Sequence, residues 1–324
     1  MTRGFFGIAA FCVLALQSCF TGVESTPRIT LGDVKKQQAA IVTDEQRFLE
    51  DLAPTPPAQW RRGHRLRVDD SKIGLVLTAA SASADSLAGR DLVFDGFAPA
   101  VSLTGADATE VRFHADLPDG CAEYFYRIPV EISHIDTLSA IQVPFTVDMD
   151  LVARVDSIMR GKRFFVRTPM WYSAEGSHQA VDGLRHVAVN VDSVIAGDAN
   201  YPLGVVFTVE KSEYAALLQP DGGPCTRMVF MTVGNSRAAT RNFDHLFAFR
   251  DPREIYPAIK DDVWQLIVRS RVTEGMTREE CRLALGSPAT LRRIPTYGGM
   301  HENWQYSDGV YLYFVDGFLT RFRL

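Results

Sequence analysis

From Trp60 to about Arg250 the chain is written in short apolar runs separated by turn dipeptides: Asp91-Leu-Val-Phe94, Val111-Arg-Phe113, Tyr124 to Val130, Arg163-Phe-Phe-Val166, His186 to Val191, Gly204 to Val209 and Met228 to Val233. Runs of this length, rich in β-branched and aromatic residues, predict strands of one or two small barrels or sandwiches. Two segments change the period. Asp33 to Leu52 reads as a helix, with Thr43 and Gln46 as a capping pair and Phe48, Leu49 and Leu52 as its apolar stripe. Leu151, Val155, Ile158 and Met159 repeat at helical spacing, and Asp148 or Asp150 stands where a cap is needed. Between these, Ala53-Pro-Thr-Pro56-Pro57-Ala58 predicts an extended spacer.

The tail switches to a clearer grammar. Ile255 to Arg269 predicts a helix with the stripe Ile259, Val263, Leu266 and Ile267. After the turn Thr273 to Met276, Thr277 and Glu280 form a capping box for a second helix, which Gly286 stops and Pro288 prevents from continuing. Strands are expected around Leu291 to Tyr297, Glu302 to Tyr306 and Val310 to Val315, with Phe318 to Arg323 as a last pairing segment. Ser307-Asp-Gly309 and Asp316-Gly317 are hairpin turns, because Gly accepts positive φ. The fold class is therefore α+β and mostly β: one or two barrel or sandwich units followed by a two-helix, three-stranded antiparallel sheet domain.

An internal echo runs through the body. Leu87-Ala-Gly89-Arg90-Asp-Leu-Val-Phe94 matches Met159-Arg-Gly161-Lys162-Arg-Phe-Phe-Val166 in placing an apolar residue, a Gly, a cation and an apolar strand in the same order. It divides the body into units at 59–150 and 151–250, by duplication or by convergent strand-entry chemistry. With 1–18 as a leader, 19–58 as tether, helix and Pro-rich linker, and 251–324 as the tail, the domain plan is complete.

The amino terminus says where the protein is expected to go. Arg3 precedes an apolar run from Phe5 to Leu16, which is signal-peptide length and too short to span ~30 Å of hydrocarbon. Leu16-Gln17-Ser18-Cys19 closes that run and resembles the lipobox of bacterial lipoproteins. The resemblance implies a lipid-modified Cys19; Phe20 after it implies the outer membrane, and Thr21 to Pro27, with no run of acids, imply the periplasmic face. A second resemblance lies in the tail. Gly275-Met276-Thr277-x-x-Glu280-x-x-x-x-Leu285-Gly286-x-Pro288, Trp304-x-Tyr306 and Tyr311-x-Tyr313-Phe314-x-Asp316-Gly317-x-Leu319 are similar to the small outer-membrane lipoprotein domain called SmpA/OmlA or BamE-like. That resemblance implies two helices on a three-stranded sheet, and a role in binding or bracing envelope proteins.

Composition sets the remaining bounds. With 46% hydrophobic and 23% charged residues the chain is globular, and its net charge of −5 with no basic stripe argues against a nucleic-acid partner. Removal of the leader leaves Cys121, Cys225 and Cys281 beside the lipidated Cys19. Cys121 and Cys225 both sit in Gly/Asp/Pro-rich turns and are the preferred disulfide pair, three buried free thiols being the alternative. The chain carries neither Gly-x-Ser-x-Gly nor a phosphate-cradling loop, so catalytic residues are expected to be none, and no metal or cofactor is implied. A cluster of His178 and His186 with Glu175 or Asp182, and a Cys225–His245 pair, are the weak exceptions. Trp171-Tyr172 beside a polar loop is the candidate surface for a partner or glycan, with a buried strand end as its competitor. The reading that follows is a lipid-anchored, non-enzymatic binding or scaffold protein; the alternatives are a glycan or peptidoglycan-binding module and a hydrolase with an unrecognised site.

Overall fold

The computed structural model describes residues 43–79, 84–102, 105–174, 179–219, 221–233 and 241–323. Contacts separate residues 1–43 from one compact unit, Asp44–Leu324, and the description below is of that unit. Cys19 lies outside the described residues, as does the expected helix as far as residue 42. The fold is mixed α+β, mostly strand, built on three antiparallel sheets, none of them closed into a barrel.

The chain enters through α1 (Asp44–Asp51), which buries Phe48 among Phe164, Phe243 and Phe249. The proline stretch after it does not stand off as a spacer: Leu52 and Pro57 are buried, and Arg154 donates to the Ala53 carbonyl. Helix and linker therefore belong to the body.

The first sheet contains β1 (Arg65–Val68), β2 (Leu77–Ala79), β3 (Asp91–Val101), β4 (Asp107–Leu117), β5 (Gly120–Ile128) and β6 (Thr146–Asp148), in the order β2-β5-β4-β3-β1-β6. Alternate residues of β4 and β5 face inward, so Val111, Phe113 and Tyr124 meet Trp60, Leu66 and Leu92 in one apolar cluster. Next comes α2 (Met149–Met159), which Asp148 begins by accepting from the Leu151 N–H at 2.9 Å. Its stripe of Leu151, Val152, Val155 and Met159 is buried, and the helix touches both β1 and a strand of the second sheet.

That second sheet is assembled from β7 (Arg163–Val166), β8 (Met170–Ser173), β9 (Ala180–Asp182), β10 (Val187–Ala196), β11 (Leu203–Val209), β12 (Thr226–Met231) and, after the helical turns α3 (Glu213–Leu218) and α4 (Phe243–Leu246), β13 (Phe247–Ala248). The order is β13-β7-β10-β11-β12-β8-β9. The echo seen in the sequence is a repeated local structure. Gly89 and Gly161 both take positive φ (77° and 73°), and the cation after each closes a turn onto the buried apolar residue three positions back, Arg90 to Leu87 and Lys162 to Met159. In each copy the Gly N–H donates to a strand carbonyl, Val68 or Val191, and that same residue's N–H returns to the carbonyl of the cation. Only a residue without Cβ adopts that φ cheaply.

The tail contains α5 (Pro252–Ile255), α6 (Asp261–Val268), α7 (Arg278–Leu285) and a third sheet, β14 (Thr290–Thr296), β15 (Gly299–Gln305), β16 (Tyr311–Val315) and β17 (Phe318–Arg323), paired in chain order. Two expectations need adjustment. The helix expected over Ile255 to Arg269 is broken between Ile255 and Asp261, because Pro257 keeps Tyr256 out of the helical region (φ −119°, ψ 60°). The last pairing segment is a full strand, so the sheet has four strands. Thr277 and Glu280 make the reciprocal capping box, and Asp316-Gly317 turns with both φ positive. One apolar cluster runs from Phe48 through the second sheet to Trp304, Leu312 and Leu319, so tail and second sheet share a core.

Candidate functional site: an arginine-lined cleft

The tail is joined to the second sheet by the residues just before β10. Arg185 and His186 lie at the carboxyl end of α7, where the last carbonyls of a helix lack intrahelical partners. Arg185 donates from Nε to Ser270 Oγ (3.1 Å), from Nη1 to the Arg167 carbonyl and from Nη2 to the Leu285 carbonyl (3.4 Å). His186 Nε2 is 2.9 Å from the Leu283 carbonyl, which makes Nε2 the protonated nitrogen of a neutral ring. Burial is the main cause of a His186 pKa lowered to about 4, with the Arg185 and Arg167 charges adding to it. His186 also holds a left-handed backbone (φ 59°), and its buried Nδ1 has no hydrogen-bond partner.

Around this joint opens a cleft of about 560 Å³, within the range of ligand sites. Arg167, Arg185, Arg278, Arg282 and Arg293 line it, with Asp244 and Glu279 as its carboxylates. Behind the wall, Glu302 is buried and receives both Arg278 and Arg293 (Nε 3.4 Å), as well as the Trp304 indole N–H (3.2 Å). One buried carboxylate thus fixes two guanidinium groups. Arg167 donates to the Asp244 carbonyl (2.7 Å), and Arg282 lies over the Trp304 ring, 4.9 Å from its centroid. Among the described residues, no carboxylate stands within ion-pair distance of Arg167, Arg185 or Arg282. Burial lowers the Arg185 pKa to about 10, and at neutral pH the group stays cationic with only neutral partners. The cleft therefore offers charge-assisted donors to an anion.

The residues singled out in the sequence fall elsewhere. Trp171 is not a surface: its ring is fully buried, edge-on to Phe207 (5.3 Å between centroids), and its Nε1 donates to the Thr168 carbonyl at 2.8 Å. The ring occupies space that Gly183 leaves open, since a Cβ there would lie 2.2 Å from Trp171 Cδ2. Tyr172 points to the opposite face of β8, half-buried against Phe230 and under the Arg241 guanidinium. The preferred disulfide is also corrected. Cys121, Cys225 and Cys281 are free thiols: Cys121 is exposed on β5 of the first sheet, whereas Cys225 is buried in the core of the second. Burial pushes the Cys225 thiol up and Cys281 up to about 12, the opposite of nucleophile activation. Glu175 and His178 lie outside the described residues, and His245 is held at Nδ1 by Asn242 at the cleft.

Asp148 and Asp150 have a second partner besides the helix. His64 sits between them, Nε2 3.1 Å from Asp148 and Nδ1 3.1 Å from Asp150, with Trp60 stacked on its ring at 4.6 Å. This buried clamp ties the start of the first sheet to α2. Among the described residues, no three His, Cys, Asp or Glu side chains are placed to share a metal ion, and no helix is long and apolar enough to cross a membrane. Comparison with protein-family models, with curated proteins and with solved structures finds no match to this chain.

Proposed function

We propose that the protein is a lipid-anchored, non-enzymatic binding or scaffold protein of the periplasmic face of the outer membrane, and that it holds its envelope partner in the arginine-lined cleft. The lipobox-like Leu16 to Cys19 supports the anchor, and the resemblance of the tail to the BamE-like domain supports the envelope role. The single observation that carries the binding reading is Arg167, Arg185 and Arg282 lining one cavity without a carboxylate partner among the described residues. The Arg185 guanidinium, largely buried without a carboxylate, costs free energy that a negatively charged partner recovers, and Arg167 and Arg282, both exposed, add charge beside it. The cleft also lies where two parts of the fold meet, a common place for ligands.

The test is crosslinking in intact cells followed by mass spectrometry, comparing the full-length protein with a Cys19→Ala version and an Arg167→Gln/Arg282→Gln version. Identified outer-membrane or cell-wall components should be captured by the native protein and lost from both variants. Capture that ignores Cys19 removes the anchor from the account, and capture that ignores both arginines removes the cleft.

A further inference from the structure

We propose that the cleft binds a compact dianion of the phosphate monoester type, a step that rests on the cleft being the binding site. Three observations converge. The first is a charge count: five lining guanidinium groups face the carboxylates of Asp244 and Glu279 and, behind them, Glu302, which leaves an excess of two positive charges. A ligand carrying two negative charges neutralises the site, whereas a diester or a single carboxylate leaves it cationic.

The second is the state of Arg185. Of the five N–H groups of a guanidinium, three are used, one on each nitrogen, by Ser270, the Arg167 carbonyl and the Leu285 carbonyl. One N–H remains on each terminal nitrogen. Three hydrogen bonds also hold the group in place before any ligand arrives, so little side-chain freedom is lost on binding. Burial of this cation without a counter-charge, visible in its lowered pKa, adds to the pull on an anion.

The third is supply from several directions. Arg167 follows β7, Arg185 precedes β10 and Arg282 lies on α7, so donors reach the cavity from three separate elements. A planar carboxylate satisfies one fork; a tetrahedral group with three terminal oxygens accepts from all three. Arg278 and Arg293 stay with Glu302 and form the charged wall.

The experiment is isothermal titration of the full-length protein in detergent micelles with phenyl phosphate, a dianionic monoester, and with dimethyl phosphate, a monoanionic diester. Phenyl phosphate should bind about tenfold or more tightly than dimethyl phosphate, and added KCl should weaken it. Arg167→Gln and Arg282→Gln, each confirmed as folded by near-ultraviolet circular dichroism and an unchanged melting temperature, should each lower its affinity by about tenfold or more. If Arg282→Gln disturbs its packing on Trp304, Arg282→Lys keeps the charge, loses the fork, and should still lower affinity. Sedimentation with phosphatidylcholine vesicles, with and without phosphatidic acid, then separates a lipid-borne monoester from a soluble one.

Equal binding of monoester and diester, or monoester binding that neither arginine substitution weakens, overturns the proposal. The two readings fail separately. No phosphate binding, together with arginine-dependent capture in cells, sinks the dianion and spares the cleft as partner site. Arginine-dependent phosphate binding with capture that ignores the arginines keeps the dianion and sinks the partner role.

Discussion

Replacing Trp171 by Ala separates a packed ring from a contact surface. The ring is 0% exposed, edge-on to Phe207 and bonded through Nε1 to the Thr168 carbonyl. Removing an indole that buries roughly 150–250 Å² at about 25 cal/mol per Å² forfeits about 4–6 kcal/mol by area. Truncations of buried Trp cost about 3–5 kcal/mol, so we take about 4 kcal/mol. At about 2–4 °C per kcal/mol for a unit of this size, the melting temperature should fall by roughly 8–16 °C. Gly183→Ala should destabilise by about 1–3 kcal/mol, because its Cβ would lie 2.2 Å from the ring. In the Trp171→Ala background the same change should cost much less, a coupling that scanning calorimetry of the four proteins measures directly. A melting temperature within about 2 °C of native for Trp171→Ala, with lost retention on purified cell wall, would refute the packing argument and restore the ring as a surface.

Other consequences are as specific. His186 takes up a proton only near pH 4 when folded, against the ordinary 6.5 when unfolded, so the unfolded chain holds more protons between these values. Stability should therefore fall as pH is lowered from about 6.5 to 4, by about 3 kcal/mol in full, and urea titrations should show a shallower fall for His186→Asn, Asn being tolerant of the left-handed backbone. Iodoacetamide should modify Cys121 before Cys225 and Cys281, whose protons burial holds, and non-reducing peptide maps should show no bridge among the three. Asp148→Ala removes a helix cap and a His64 contact together and should cost about 1–2 kcal/mol, more than Asp150→Ala, by denaturant midpoint. Thr277→Ala, which opens the capping box, should cost about 1 kcal/mol in the same assay.

What the sequence discloses is what local chemistry determines. β7 is the apolar run Arg163–Val166, α2 starts at its Asp cap, and Thr277 with Glu280 opens α7. Gly89 and Gly161 produce the same turn twice because their neighbours repeat. The break in the helix after Ile255 was signalled by Pro257 and masked by the stripe running through it. Packing between distant segments is where pattern fails. Trp171 beside a polar loop resembles a contact surface until Gly183 leaves room for its ring, and nothing in a one-dimensional pattern pairs those positions. The cleft is less legible still. Its arginines come from the ends of β7 and the loop before β10, from α7 and from β14, so they share no spacing, and net acidity of the whole chain conceals a local cationic excess. Glu302 looked like an ordinary strand residue, yet burial beneath two arginines makes it the organiser of the wall.

The structural logic is that one short segment serves two ends. Arg185 and His186 complete the open carbonyls of α7 and thereby weld the tail to the second sheet, and the same contacts leave a fixed cation at a cavity wall. The proposed seating of an envelope partner in this cavity has a direct test. A photo-activated crosslinking residue is placed at Ser287, in the cleft lining, and at Leu75, exposed in the helical turn between β1 and β2, and intact cells are irradiated. A discrete adduct with an envelope component should form from Ser287, be lost when Arg167 and Arg282 become Gln, and be absent from Leu75. Adducts that form equally at both positions, or that persist at Ser287 without those arginines, would contradict the proposed seating.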